Sequence, residues 1–249
     1  MTVPDDRARW LRGSRVPGAR IRLVCFPHAG GAAGAFHDWA ALTPPEIEVV
    51  AVQYPGRQDR LAEPCAGTME ELADTVTEVL LRDADDRPLA LFGHSMGSSA
   101  AYEVARRLDA VPGLPLTRLI VSGRGRPRLP EERPPGPTPS DTEILAHLRV
   151  LDPENAAVYE HPDLRPVIMP ALRADFGLLA KYRPARLDPL GVPVTACGGD
   201  GDPVCAPEDL KSWADVTSRG LDVRVFEGKH FYLTSRKREL LDFIASQLT

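Results

Sequence analysis

The stretch "LFGHSMGSSAAYEVARRL", residues 91–108, sets Ser95 between Gly93 and Gly97. G-x-S-x-G is short enough to arise by chance, so its meaning rests on what surrounds it. An apolar run at 88–92 leads into Gly93, and an alanine-rich stretch with helical spacing begins after Gly97. Strand, tight turn and helix in that order would lift the Ser95 hydroxyl onto a sharp elbow, facing the positive end of the helix dipole. A serine hydroxyl is a weak nucleophile. It needs a base, and the base needs a carboxylate to hold its tautomer.

In α/β-hydrolases these partners follow the serine in the order Asp/Glu, then His, each after a later strand. Six histidines compete. His28 and His37 precede the serine, His94 adjoins it on the elbow, and His147 and His161 fall in an interval without strands. His230, in "RVFEGKHFYL", comes just after the last apolar run and alone satisfies the order. The acid falls in "ACGGDGDPVCAPEDL", where Asp200 and Asp202 both qualify. The Gly-x-x-Asp spacing from Gly199, followed by Pro203, favours Asp202 and leaves Asp200 as a turn residue or helper. Two carboxylates so close could also suggest a metal site, but no matching ligand cluster accompanies them.

The tetrahedral intermediate of acyl transfer needs backbone donors. Met96, directly after the serine, would supply one N–H, and Ala29 in the glycine-rich "FPHAGGAAG" (26–34) the other. A phosphate-binding loop is the rival reading of that segment. It lacks both G-x-G-x-x-G and a Gly-Lys-Ser/Thr ending.

Positioning such a set requires a particular scaffold. "IRLVCFP" (21–27), "IEVVAVQYP" (47–55), "PLALFGHS" (88–95), "LTRLIVSG" (116–123), "VPVTACGG" (192–199) and "LDVRVFEG" (221–228) read as strands. Helical patterns lie at 68–82, 97–108, 207–217 and 236–248. Alternating strands and helices predict a single α/β domain over 1–249, a mostly parallel sheet with helices on both faces. The rhythm breaks after 123. A Pro- and Arg-rich connection, 124–140, precedes two helical stretches in which Pro166 and Pro170 should end or kink turns. We expect a helical lid inserted at about 124–190. Met169, Leu172 and Phe176 on it either line an acyl channel or pack the lid itself.

Composition narrows the function classes. The chain has 249 residues, 43% of them hydrophobic, enough for a substantial core, and a formal net charge of −5. No basic field draws it to nucleic acid or anionic lipid. The absence of a long apolar run, and of an apolar signal core in "MTVPDDRARWLRG", predicts a cytoplasmic protein without a membrane partner. Cys25, Cys65, Cys197 and Cys205 form no CxxC, and Cys25 and Cys197 fall within strands as small buried hydrophobes.

"RLVCFPHAGG", "YPGR" (54–57), "FGHSMGS", "SGR" (122–124), "LRADFGLLAKYRP" (172–184), "GGDGDP" and "HFYL" (230–233) resemble, in order and spacing, the type II thioesterases. These are stand-alone α/β-hydrolases that accompany polyketide and nonribosomal peptide synthases. The resemblance covers nearly the whole chain. It implies hydrolysis of acyl thioesters on the phosphopantetheine arm of acyl or peptidyl carrier proteins, with no metal or organic cofactor; separately, a monomer is the expected form. It also implies Ser95 as nucleophile, His230 as base, Asp202 as acid, and Ala29 and Met96 as oxyanion donors. One departure is Lys229, where family members often carry glycine before the histidine. Pointing inward it would oppose an imidazolium, so it is expected to face solvent.

A medium-chain fatty-acyl thioesterase, a small-molecule esterase and an inactive binding protein of the same fold are the alternative readings. A macrocyclising terminal domain fits less well with a chain that starts at its own Met1 and carries no carrier domain. Arg124, Arg126, Arg128 and Arg133 in "RGRPRLPEER" suggest a local basic patch that could steer an acidic carrier, diluted by Glu131 and Glu132.

Overall fold

The computed structural model describes residues 6–248; the first five residues of the N-terminal stretch read above lie outside it. Its strands are β1 (Leu11–Arg12), β2 (Ile21–Phe26), β3 (Ile47–Val52), β4 (Leu89–His94), β5 (Leu116–Ser122), β6 (Val194–Gly199) and β7 (Leu221–Phe226). The helices are α1 (Asp6–Trp10), α2 (Trp39–Leu42), α3 (Met69–Arg82), α4 (Met96–Asp109), α5 (Asp141–Leu151), α6 (Ala156–Glu160), α7 (Arg165–Lys181), α8 (Pro207–Leu210), α9 (Tyr232–Ser235) and α10 (Lys237–Leu248). The seven strands form one sheet in the order β1-β3-β2-β4-β5-β6-β7, parallel except for β1. Two-residue β1 was not foreseen.

β2, β3, β4 and β6 are buried along their whole length, as expected of apolar runs covered on both faces. Alternation along β2 divides the core into two layers. Val24 and Phe26 face α3 and α4, whereas Leu23 and Cys25 face Phe36, Trp39 and α10. The chain runs from β2 outward to β3 and then crosses back to place β4 on the other side of β2. Loops leaving the carboxyl ends of β2 and β4 therefore diverge, and the crevice between them is where α/β sheets bind ligands.

Between β5 and β6 the irregular connection runs to Ser140, which opens α5 with a capping box closed by Glu143. α5 and α7 bury Ile144, Leu145, Leu148, Met169 and Leu172 against one another, a small core of their own. Pro166 sits in the first turn of α7, where its missing N–H has no intrahelical partner. Pro170, expected to end or kink a turn, does not end the helix: α7 continues through it to Lys181. The insert returns to the main body at Tyr182, buried in the principal core with its hydroxyl donating to Glu103 at 2.6 Å. Among the described residues no helix is long and apolar enough to cross a membrane.

Candidate active site

β4 ends at His94 and α4 starts at Met96, so the turn is one residue long. Ser95 occupies it at φ 54° and ψ −116°, a left-handed strained conformation for a side-chain-bearing residue. The flanking glycines are sterically obligatory. A Cβ on Gly93 would overlap the Gly97 carbonyl, and a Cβ on Gly97 the carbonyl of Phe26 at the end of β2. Ser98 ties the elbow to its neighbours by donating to the Gly93 carbonyl at 2.8 Å, and its oxygen accepts the Ser122 N–H at 3.1 Å.

His230 follows β7 and is 1% exposed. Its Nδ1 meets Asp202 Oδ2 at 2.7 Å, while its Nε2 is buried without a hydrogen-bond partner. Asp202, itself buried, also accepts the Val204 N–H at 3.0 Å through Oδ1. Asp200, in contrast, is exposed and accepts the Gly228 N–H at 2.9 Å. Of the two carboxylates weighed from the sequence, Asp202 is the one in contact with His230. Such a pair fixes the proton on Nδ1 and leaves Nε2 able to take one. Lys229 is exposed to solvent.

Three imidazoles crowd here. The His94 and His230 ring centroids are 4.9 Å apart, and those of His28 and His94 are 6.0 Å apart. Burial, reinforced by His230 and His28, drives His94 well below the ordinary histidine range. Burial likewise brings His28 down to about 4, with His230 adding to the effect. Both neighbours are thus neutral at pH 7 and do not oppose a charge on His230. Ser122 Oγ lies 3.0 Å from His94 Nδ1 and 2.7 Å from the Tyr232 hydroxyl, which anchors the ring beneath the elbow.

Ala29 lies half-buried in the loop after β2, and Met96 is the first residue of α4, where an N–H has no intrahelical acceptor. The loop is held by residues that follow β3. Tyr54 donates its hydroxyl to the Pro27 carbonyl at 3.3 Å, Gln53 accepts the Ala33 N–H at 3.0 Å, and Arg57 donates to the Gly31 carbonyl at 3.2 Å. Asp175 of α7 completes the clamp by accepting the Gly30 N–H at 2.7 Å while paired to Arg57. Sequence reading assigned no role to Arg57 or Asp175. The available signal was an acid on an otherwise apolar helix face.

Ser95, His230 and Ala29 border one cavity of about 460 Å³. Phe176 lines it, but Met169 and Leu172 do not: both are buried in the packing between α5 and α7. Leu172 instead covers Gly30, where an added Cβ would collide with it. Arg126 is not part of a free basic patch, because Glu132 and Asp215 both bind it. Among the described residues no cluster of three or more His, Cys, Asp or Glu is arranged to hold a metal ion.

Comparison with known proteins bears on this geometry. The family model for the thioesterase domain matches residues 21–248. The "Probable cadicidin biosynthesis thioesterase" of Streptomyces griseus is 40% identical over 94% of this chain, which spans 64% of that protein's length. "Gramicidin S biosynthesis protein GrsT" of Aneurinibacillus migulanus is 32% identical, covering 100% of this chain and 97% of the relative. Among solved structures, the type II thioesterase BorB from the borrelidin biosynthetic cluster superposes with a TM-score of 0.85 at 38% identity, covering 96% of this chain and 98% of BorB.

Proposed function

The chain belongs to the thioesterase family and is a thioester hydrolase of the type II, editing kind; on that premise we propose how it acts and on what. Its substrates are acyl groups on the phosphopantetheine arm of acyl or peptidyl carrier proteins, and it clears stalled or aberrant units from polyketide or nonribosomal peptide assembly. The observation that carries the mechanism is the His230–Asp202 contact of 2.7 Å, with Nε2 unbonded beside the cavity that Ser95 borders.

Ser95 Oγ attacks the thioester carbonyl carbon while His230 Nε2 takes its proton. The N–H groups of Ala29 and Met96 hold the oxyanion that forms. Collapse breaks the carbon–sulfur bond, and His230 returns the proton to the departing thiolate. His230 then draws a proton from water, whose oxygen attacks acyl-Ser95; the bond from the acyl carbon to Ser95 Oγ breaks, His230 returns that proton to Oγ, and the free acid leaves. Asp202 keeps the imidazole in the Nδ1–H tautomer throughout. The insert at 124–190 serves as a lid over the cavity, and Phe176 touches the acyl chain. Hydrolysis rates on one acyl group carried by carrier protein, by coenzyme A and as a nitrophenyl ester test the reading. The carrier-bound form should have the highest kcat/KM; equal or better use of the simple ester would assign a small-molecule esterase instead.

A further inference from the structure

Part of the cavity lining is strongly cationic, although the protein has a net charge of −5. Arg124, Arg126, Arg128, Arg133 and Arg183 line it, against two carboxylates, Glu132 and Asp209. Both acids are engaged: Glu132 binds Arg126 through two contacts of 2.8 and 2.6 Å, and Asp209 caps α8 by accepting the Ala206 N–H at 3.0 Å. Arg183 spends its donors on the carbonyls of Arg133, Pro134, Leu179 and Tyr182. Arg124, Arg128 and Arg133 make no ion pair among the described residues.

Arg124 is the exceptional member. It follows Gly123, where an added Cβ would stand 3.2 Å from His230 Cε1, so its backbone starts at the catalytic cluster. Arg128 and Arg133 are exposed, but Arg124 is half-buried, and burial brings its guanidinium down to about 10, with Arg133 and Arg183 adding repulsion. It remains charged at pH 7. With no counter-ion among the described residues, this half-buried guanidinium is free to pair with an arriving anion. The planar fork of a guanidinium matches carboxylate and phosphate oxygens two at a time.

We propose that Arg124, with Arg128 and Arg133 outward of it, forms an anion subsite of the acyl cavity that receives an anionic oxygen group carried by the thioester substrate. The inference rests on the thioesterase reading above and adds a specificity determinant to it. Two parts of such a substrate carry that chemistry. A carboxylate on the acyl chain would lie a few bonds from the thioester carbonyl, and the phosphate of the pantetheine arm would lie at its far end.

Binding of stable amide analogues, measured by calorimetry on the full-length protein, separates the possibilities without requiring turnover. Three probes suffice: butanoyl-amide pantetheine, its succinyl counterpart bearing a terminal carboxylate, and the butanoyl compound bearing the 4′-phosphate. At least one anionic probe should bind about tenfold or more tightly than the neutral one, the range expected of a charge-assisted pair. The succinyl probe winning assigns the acyl carboxylate; the phosphorylated probe winning assigns the arm. In Arg124→Gln, and further in Arg124→Gln/Arg133→Gln, that ratio should collapse toward one. Because affinities are compared within one preparation, a smaller folded fraction leaves the ratio unchanged. Equal affinities for all three probes, or a ratio that survives the double substitution, would overturn the subsite. Absence of thioester hydrolysis alongside intact anion discrimination would instead strike the functional reading alone.

Discussion

Arg57 and Asp175, 118 residues apart in sequence, form a buried bidentate pair, Nη1–Oδ2 at 2.5 Å and Nη2–Oδ1 at 2.9 Å. Arg57 comes from the turn after β3 and Asp175 from α7, so the pair bolts the insert to the loop carrying Ala29. Removing one partner leaves a buried charge unmatched and should destabilise the protein by about 3–5 kcal/mol. Arg57→Met/Asp175→Leu should recover much of that stability in urea denaturation. Its kcat should nevertheless stay well below wild type, because the Gly30 N–H and Gly31 carbonyl have lost their anchor. A double variant with full kcat would show that the pair stabilises the fold without positioning the loop.

Asp202 and Asp200 should separate cleanly. Asp202→Asn removes the acceptor that keeps the Nδ1–H tautomer and should cost up to about four orders of magnitude in kcat. Asp200→Asn alters only a turn that receives the Gly228 N–H, and its effect should be within about tenfold. Steady-state kinetics on one acyl thioester decides the ranking, and the reverse order would move the acid to Asp200.

Acid should destabilise the fold through its neutral histidines. His28 titrates near 4 in the folded protein against an ordinary value of 6.5, and His94 lies well below that value too. Between those limits the unfolded chain binds more protons, so stability is retained above about pH 6.5 and falls as pH drops toward 4, by up to about 1.4 kcal/mol per pH unit for each group. Thermal melts from pH 7.5 to 4.5 should show a shallower decline for His28→Asn than for wild type. Parallel curves would mean that His28 contributes nothing to the acid sensitivity.

The parts of this arrangement visible in the sequence are those encoded locally. The apolar runs of β2 to β6 mark themselves by composition. The glycines around Ser95 reflect contacts, Gly97 against Phe26, that a strand–turn–helix at the sheet's centre forces on any sequence. Asp202 could be preferred but not separated from Asp200, because which carboxylate meets His230 depends on how two loops fold together. β1 escaped notice since Leu11–Arg12 is too short for a periodic signal, and its pairing with β3 is a tertiary event. The same holds for Arg57–Asp175. Met169 and Leu172 had the spacing of either a channel wall or a helix seam, and packing against α5 decides for the seam.

Ser95 as the acyl carrier is the claim on which the rest depends. The direct measurement is turnover of a single acyl-pantetheine thioester by wild type and Ser95→Ala, paired with intact-protein mass spectrometry during wild-type turnover. Ser95→Ala should lose about three or more orders of magnitude in kcat, and the wild-type protein should gain the mass of one acyl group, mapped to the peptide containing Ser95. Near-wild-type turnover by Ser95→Ala, with no acyl adduct on that peptide, would contradict the account.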